Sequence, residues 1–436
     1  MNRRRITGVL AAGLTAALLS ACGGGGDAGS PSGATGPVTL KVLTWEPGGS
    51  EYWKQVKTAF EAEHTDIKLE MQAVPFDKYP EVQGPYITSQ SGPDVMANNA
   101  GLELFDRRGA YEPLGAKAAE INKDLVTYSG ACEGFDTSKP CYGVPFSYQG
   151  NVLYYNKQVL KAAGLDAEKP PATWEEFSAA CEAVTKSGKT CLALGQSGTF
   201  PAYWDFPEIA RNYLSEDDIR ALLAGTISWK DPKLVSVLTK LAEITTKGWA
   251  NKNAPSITML PDGADIFQRG DAAFAGTIIS DAVNWEAFGK ALGDENLGVT
   301  RWPVINADAP LANKFSGIEG AVYGVTKWSE KKEAGLKFIT WLAGKKNGEL
   351  WVQHGKGQPL NKNVDKSLLP SSPAFQKIQE LIADPTLHAG VMLSGPEADA
   401  LARGWQQVTL GQLTVDKWAD QMQRALERSP TKKQGK

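Results

Sequence analysis

The stretch that most constrains this 436-residue chain runs from Val38 to Met96. Val38, Leu40 and Val42 alternate with polar residues up to Thr44, which reads as a strand. Glu51–Glu63 reads as a helix, with Trp53, Val56 and Phe60 at helical spacing on one face. Ile67-Lys68-Leu69-Glu70-Met71 alternates again, a second helical stretch follows around 79–91, and Pro93-Asp94-Val95-Met96 reads as a short buried strand. Strand, helix, strand, helix, strand predicts an α/β fold with a parallel, doubly wound sheet. Ligands of such sheets sit at the carboxyl ends of the strands. Two pairs fall there: Trp45-Glu46, just before Pro47-Gly48-Gly49, and Asn98-Asn99. Trp53 has a helical register to carry it into the core. Trp45 has none and is expected to face a ligand, the competing reading being a cap between sheet and helix.

The N-terminus carries a different message. Arg3-Arg4-Arg5 forms a basic start, and Val9–Leu19 is an apolar run too short to span a bilayer. Leu19-Ser20-Ala21-Cys22 resembles the cleavage box of bacterial lipoproteins. The resemblance implies a signal peptide over residues 1–21 and a lipidated Cys22 as the mature N-terminus. Arg3-Arg4-Arg5-Ile6 partly resembles a twin-arginine signal, so the export route is open. Residues 22–37 are rich in Gly, Ser and Pro, cannot bury enough surface to fold, and read as a flexible tether. The expected location is extracytoplasmic, on the membrane through the lipid alone; Gly after Cys22 favours a Gram-positive outer face. No later run of apolar residues is long enough to span a membrane.

The body from Val38 is too long for one small core, so two domains are expected. Three Arg and no acid lie in the signal peptide, and the remainder is net acidic, with no basic run; nucleic acid is not an expected partner. Besides Cys22 there are Cys132, Cys141, Cys181 and Cys191, which allow three connectivities. Export and short separations favour Cys132–Cys141 and Cys181–Cys191; buried free thiols are the alternative. With no C-x-x-C and only His64, His354 and His388, neither a metal site nor a cofactor is expected.

Further along, Tyr142–Phe146 and Asn151–Tyr155 read as strands, as do Ala272–Ile279 and Gly320–Val325. Thr173-Trp174-Glu175-Glu176 has capping-box spacing, and Asp231-Pro232 places an N-cap before a proline. Ser329–Leu342 reads as a helix with Ala334, Phe338, Trp341 and Leu342 on one face. Trp341 and Trp351 are expected in the core, and Trp174 is expected to be structural. The last third reads as mostly helical.

Several motifs then carry a resemblance. Val38–Asp94 with "SGPDV" at Ser91–Val95, "YGVPFSYQGNVLYYNKQVL" at Tyr142–Leu160, Pro171–Phe177, Phe267–Phe274, Gly317–Gly320 and Lys327–Leu342 follow one another in order. Together they resemble the extracellular solute-binding proteins of ABC importers, the family that includes maltose-binding protein. The resemblance implies two lobes, each a mixed, mostly parallel sheet flanked by helices, with the ligand in the cleft between them. It places lobe 1 at 38–146 and 315–365, and lobe 2 at 147–314 and 366–436. It implies a carbohydrate ligand, closure on binding, delivery to permease subunits, a monomer and no catalysis.

By position, the resemblance adds Tyr148 and Gln149 where the chain first crosses, and Tyr203, Trp204 and Asp205 in a stretch supplying stacking aromatics. Ser280, Asp281 and Trp285 follow the third motif, and Glu319 lies on the return. With 13 Trp, the chain can cover sugar C–H faces with rings while carboxylates and amides bind hydroxyls. Two Asn stand where maltose-binding protein has Trp and acidic residues, so sugar identity does not carry over. The alternatives are an exported glycan-active enzyme, which no catalytic motif supports, and a non-sugar solute such as a polyamine.

Overall fold

The computed structural model describes residues 36–45, 51–75, 78–279, 285–355, 357–386, 388–429 and 432. The expected signal peptide, Cys22, the linker as far as residue 35, Glu46, Ser280 and Asp281 lie outside them.

The opening pattern folds as its periodicity dictates. Strand β1 (Val38–Thr44) pairs in parallel along its whole length with β2 (Ile67–Ala73), and at Val42 and Leu43 with β3 (Val95–Asn98). Helix Glu51–Glu63 buries Tyr52, Trp53, Val56 and Phe60, the spacing that one helical face requires. β3 is buried throughout. Two later strands complete this sheet, β4 (Val144–Pro145) and β10 (Val322–Val325), in the order β2-β1-β3-β10-β4.

A second sheet is built on β5 (Ser147–Asn156). Around it lie β6 (Thr190–Ala193), β7 (Ala272–Ile278), β8 (Leu297–Thr300), β9 (Phe315–Glu319), β11 (Gln358–Pro359) and β12 (Pro385–Thr386). β5 runs antiparallel to β7, β8, β9 and β11; only β6–β7 and β9–β12 pair in parallel. Both sheets are mixed, as expected: in the first only β10 runs against the other four strands, while in the second most pairings, those through β5, are antiparallel. A parallel pair needs a crossover back to the same end of the sheet. The opening β-α-β-α-β run supplies such crossovers, whereas β5 is met by strands returning from its far end.

The chain passes between the sheets three times. The first passage is at Phe146, between β4 and β5. The second is at Gly320-Ala321, between β9 and β10. The third lies between β10 and β11; just past β11, Leu360 N–H donates to the Phe146 carbonyl (3.0 Å) and Asn361 Nδ2 to that of Ala343 (2.7 Å). Gly320 N–H ties the second passage to the first through the Ser147 carbonyl (2.7 Å). A side chain at Gly320 would place Cβ 2.1 Å from Ser147 Oγ, so these passages touch backbone to backbone.

Local signals hold elsewhere. Thr173 and Glu176 form the reciprocal capping box of helix Trp174–Lys186, and Asp231 caps Pro232–Thr246. Trp174 and Trp351 are buried. Both local disulfides are present, Cys132–Cys141 and Cys181–Cys191. Trp341 departs from expectation. Helix Lys332–Leu342 buries Gly335, Phe338, Ile339 and Leu342, which rotates Trp341 to the rim. There its indole N–H donates to Glu63 Oε2 (2.8 Å). Among the described residues, no helix is long and apolar enough to cross a membrane.

Candidate functional site

The carboxyl ends of β1 and β3 form one wall. Trp45 is half-buried and stands edge-on to Tyr79, ring centroids 5.0 Å apart. Tyr79 comes from helix Tyr79–Ser89, and its hydroxyl donates to the carbonyls of Ala97 (2.8 Å) and Leu43 (3.3 Å), so Trp45 lies over both strand ends. One turn on, Gln83 Nε2 reaches the Ala97 carbonyl (3.1 Å), Asn98 Oδ1 (3.0 Å) and Tyr111 Oη (3.0 Å). Tyr111 also donates to Asn98 Oδ1 (2.9 Å), and Asn98 Nδ2 points to the Met96 carbonyl (3.4 Å). Asn98 is therefore fully buried with its amide engaged inside the wall. Asn99 is half-buried and donates to Glu103 Oε2 (2.7 Å). Arg107, four residues after Glu103 and ion-paired with it, donates to Gln83 Oε1 (2.6 Å).

The facing wall belongs to the second sheet. Trp204 is half-buried and stands perpendicular to His388, centroids 5.2 Å apart. Asn151, on β5, donates through Nδ2 to the Trp204 carbonyl (3.0 Å). Polar atoms without a partner on this wall include Asn151 Oδ1, Asp205 Oδ2 and both ring nitrogens of His388. All three residues are buried, His388 and Asp205 each at 1 % exposure. Burial pushes the Asp205 carboxyl well up, with Glu208 adding repulsion, and pushes His388 down to about 3. Below Asp205, Glu208 and Arg211 form a buried ion pair (3.2 Å), and Arg211 donates to the Trp302 carbonyl (2.5 Å).

The two walls meet. The short helix 102–106 beyond β3 packs against residues 389–392. Tyr203 lies close enough to Glu103 and Arg107 for their charges to act on its hydroxyl, which burial pushes up. Tyr203 thus stands beside Glu103 and Arg107 where helix 102–106 meets residues 389–392.

Tyr148 and Glu319 sit at the passages between sheets, paired directly across β5 and β9. Glu319 is 2 % exposed and accepts from Thr127 Oγ1 (2.7 Å). Its other oxygen lies where a side chain at Gly130 would put Cβ, 2.4 Å away. Burial raises its pKa, with Thr127 and the backbone at 129–130 pulling it back. Tyr148 is also buried, against Phe315, and Gln149 is half-buried beside it. Trp285 is buried edge-on to Phe375 (5.3 Å) and lines a cavity of about 480 Å³ with Glu286, Gln353 and Ser372. That lining shares no residue with the Trp204 group.

The structure brings Tyr203, Trp204 and Asp205 together in the short helix Pro201–Asp205, with Asn151 and His388 beside Trp204. Sequence reading missed Gln83, Glu103, Arg107, Asn151 and His388. Asn151 lies inside the quoted motif at Tyr142–Leu160, and the i,i+4 spacing of Glu103 and Arg107 just past a strand end was a usable signal. His388 had no local signal. Among the described residues, no group of three or more His, Cys, Asp or Glu is placed to hold a metal ion.

Two mixed sheets joined by three passages, with a groove at the strand ends, define the two-lobe class of binding proteins. The family model for bacterial extracellular solute-binding proteins matches residues 45–349, more than half of the chain, and the chain belongs to that family. Among curated relatives, the sn-glycerol-3-phosphate-binding periplasmic protein UgpB of Escherichia coli (strain K12) is 29% identical over 276 residues, 62% of this chain. The match spans 59% of the length of that relative. Among solved structures, a chain from work on xylan utilization by the thermophilic bacterium Caldanaerobius polysaccharolyticus superposes with a TM-score of 0.77. It is 21% identical, with 89% of this chain and 99% of that one covered. Maltose-bound MalE3 of T. maritima gives 0.74 at 18% identity, with 89% and 99% covered. These likenesses establish the two-lobe fold.

Proposed function

We propose that this solute-binding protein captures a sugar or oligosaccharide between its lobes and hands it to the permease of an ABC importer, without chemistry of its own. The observation that carries this reading is the half-buried indole of Trp204 bordered by buried, unpartnered polar atoms. A flat ring covers a sugar's C–H face while neighbouring amides and imidazole bind its hydroxyls. Trp45 and Tyr203 supply further aromatic surface, and Asn99 and Asp205 further polar contacts. Glu46, Ser280 and Asp281 are proposed as ligand contacts from the sequence pattern. Asn98 acts one step back, holding the wall; Tyr148, Gln149 and Glu319 act at the hinge between lobes. Trp285 belongs to the separate cavity and is proposed to shape the second lobe's approach to the ligand.

The lobe division at 38–146 with 315–365, and 147–314 with 366–436, is supported by the two sheets except at β9 and β11, both of which pair with β5. Phe315–Glu319 pairs with β5, so the hinge is better placed at Gly320. Residues 1–21 are proposed as a cleaved signal peptide, Cys22 as the lipidated anchor and residues 22–37 as the tether of a monomeric receptor. The tether keeps the receptor within reach of its permease. The name of UgpB supplies a second ligand class, a polyol phosphate, for which Arg107 and the buried Arg211, whose Nη1 has no partner, are candidate cations.

The test is titration calorimetry of the protein with maltose, xylobiose, sn-glycerol-3-phosphate and spermidine. Saturable binding of a sugar that is recovered intact is the expected result. Binding confined to spermidine or the phosphate, or breakdown of the sugar, contradicts it.

A further inference from the structure

We infer that Glu319 is a two-position switch in the hinge, its carboxylate taking donors from lobe 1 when the lobes approach and from Tyr148 Oη when they part. This goes beyond the sugar reading and rests only on the two-lobe fold. The hinge is built on a two-stranded ribbon. Val322 faces Pro145 in the first sheet and Glu319 faces Tyr148 in the second, one register on both sides of the break between the sheets. Glu319 ends β9, directly before that break. It is 2 % exposed, and Oε1 accepts from Thr127 Oγ1 (2.7 Å), with the amides of 129–130 near enough to favour its charge. Those donors are fastened to the first sheet's side. Tyr128 Oη donates to the Gly143 carbonyl (2.8 Å), Gly101 N–H to that of Gly130 (2.8 Å), and Tyr142 N–H to that of Ala131 (3.0 Å). The carboxylate therefore rides on one lobe and its donor on the other.

Tyr148 supplies the alternative. Directly opposed residues of an antiparallel pair share a face of the sheet, and both side chains are buried. Neither Tyr148 Oη nor Glu319 Oε2 has a partner. The tyrosine leans over Gly317, where a Cβ would stand 1.9 Å from Oη. Gly317 lies two residues before Glu319 on the same face, about 7 Å along the strand, a gap the two side chains can close. Tyr148 and Glu319 belong to one sheet, so this contact is open at any lobe angle, whereas the Thr127 contact is not. A buried carboxylate stripped of donors is costly. Parting of the lobes draws Thr127 away and turns the carboxylate to Tyr148. Two donor sets for one charge make two discrete arrangements. In this structure the lobes touch, helix 102–106 against residues 389–392, and Thr127 holds the carboxylate.

The test compares full-length wild type with Tyr148→Phe, Thr127→Val and Thr127→Ser. Small-angle X-ray scattering gives the radius of gyration without ligand, and calorimetry the affinity for maltose and xylobiose. Tyr148→Phe removes the donor of the parted arrangement. The ligand-free protein should become more compact and bind sugar about threefold tighter or more, because the binding-competent arrangement is populated beforehand. Thr127→Val should expand the protein and weaken binding by a similar factor, and Thr127→Ser, which keeps the hydroxyl, should match wild type. If the valine variant does not fold, the gain in Tyr148→Phe remains the test. A ligand contact at Tyr148 predicts the opposite, weaker binding at an unchanged radius, and that result overturns the switch. Equal radii in all four proteins overturn it too. Opposite shifts in radius with no sugar bound by any of them would sink the sugar reading and leave the switch standing.

Discussion

The two walls of the groove are made of similar residues and differ in how their polar atoms are used. On the first wall, Gln83, Asn98, Tyr111, Glu103 and Arg107 bond one another, and the network is closed. On the second, Asn151, Asp205 and His388 surround Trp204 with atoms that bond nothing. The difference separates two tasks. A satisfied network fixes the shape of its wall and specifies a unique packing. An unsatisfied one gives up stability to keep hydrogen bonds available, as binding sites do. On this view the first wall holds the groove's shape, and the second recognises the ligand.

The comparison breaks most visibly at Gln83. Gln83→Leu leaves Asn98, Tyr111 and Arg107 short of partners in a buried setting, and should cost about 3 kcal/mol of stability by denaturant titration. Affinity per folded molecule should hardly change. A large affinity loss at full stability would make the first wall the reader. Next in size, Trp204→Ala should weaken sugar binding by about 2 kcal/mol, measured by calorimetry, since aromatic anchors contribute on that order.

The third effect concerns pH and has opposite signs at two buried groups. His388 titrates lower in the folded than in the unfolded chain. The unfolded state therefore binds more protons below about pH 6.5, and the His388 contribution is lost as pH falls. It should amount to about 2 kcal/mol between pH 6.5 and 5, and His388→Leu should flatten that slope. Glu319 is raised, so the folded state binds its proton more tightly. Its penalty grows as pH rises through the window above the ordinary carboxylate value, and Glu319→Gln should remove it. Thermal melts of each variant from pH 4 to 8 read both slopes; equal slopes in wild type and variants contradict the assignment. The smallest change is at Trp45. Its alanine variant loses the edge contact with Tyr79 and should weaken binding by about 1 kcal/mol with little shift in melting temperature.

How much of this was legible depended on the range over which each signal acts. β1, its following helix and β2 were readable because periodicity is local and the burial of Tyr52, Trp53, Val56 and Phe60 obeys it. The capping box at Thr173 and Glu176 is equally local. The length and direction of β5 were not readable, because four strands from distant parts of the chain set them. Trp341 misled because a one-residue rotation of its helix moves an indole from core to rim.

At the candidate site, Trp204 and Asp205 are singled out by the resemblance, and Trp45 by its strand end. Asn98 and Asn99 read identically as sequence, yet Asn98 is fully buried in the wall's network and Asn99 is half-buried and bonded to Glu103. Only three-dimensional neighbours decide which atoms of an amide are already bonded. His388 lies far along the chain from Trp204, and nothing at that distance in sequence announces the contact.

The most direct test is calorimetric titration of wild-type and Trp204→Ala protein with maltose and xylobiose, followed by recovery of the sugar. The account predicts saturable binding of an intact sugar by the wild type and a loss of about 2 kcal/mol in the variant. Equal affinity in both proteins, or consumption of the sugar, would contradict it.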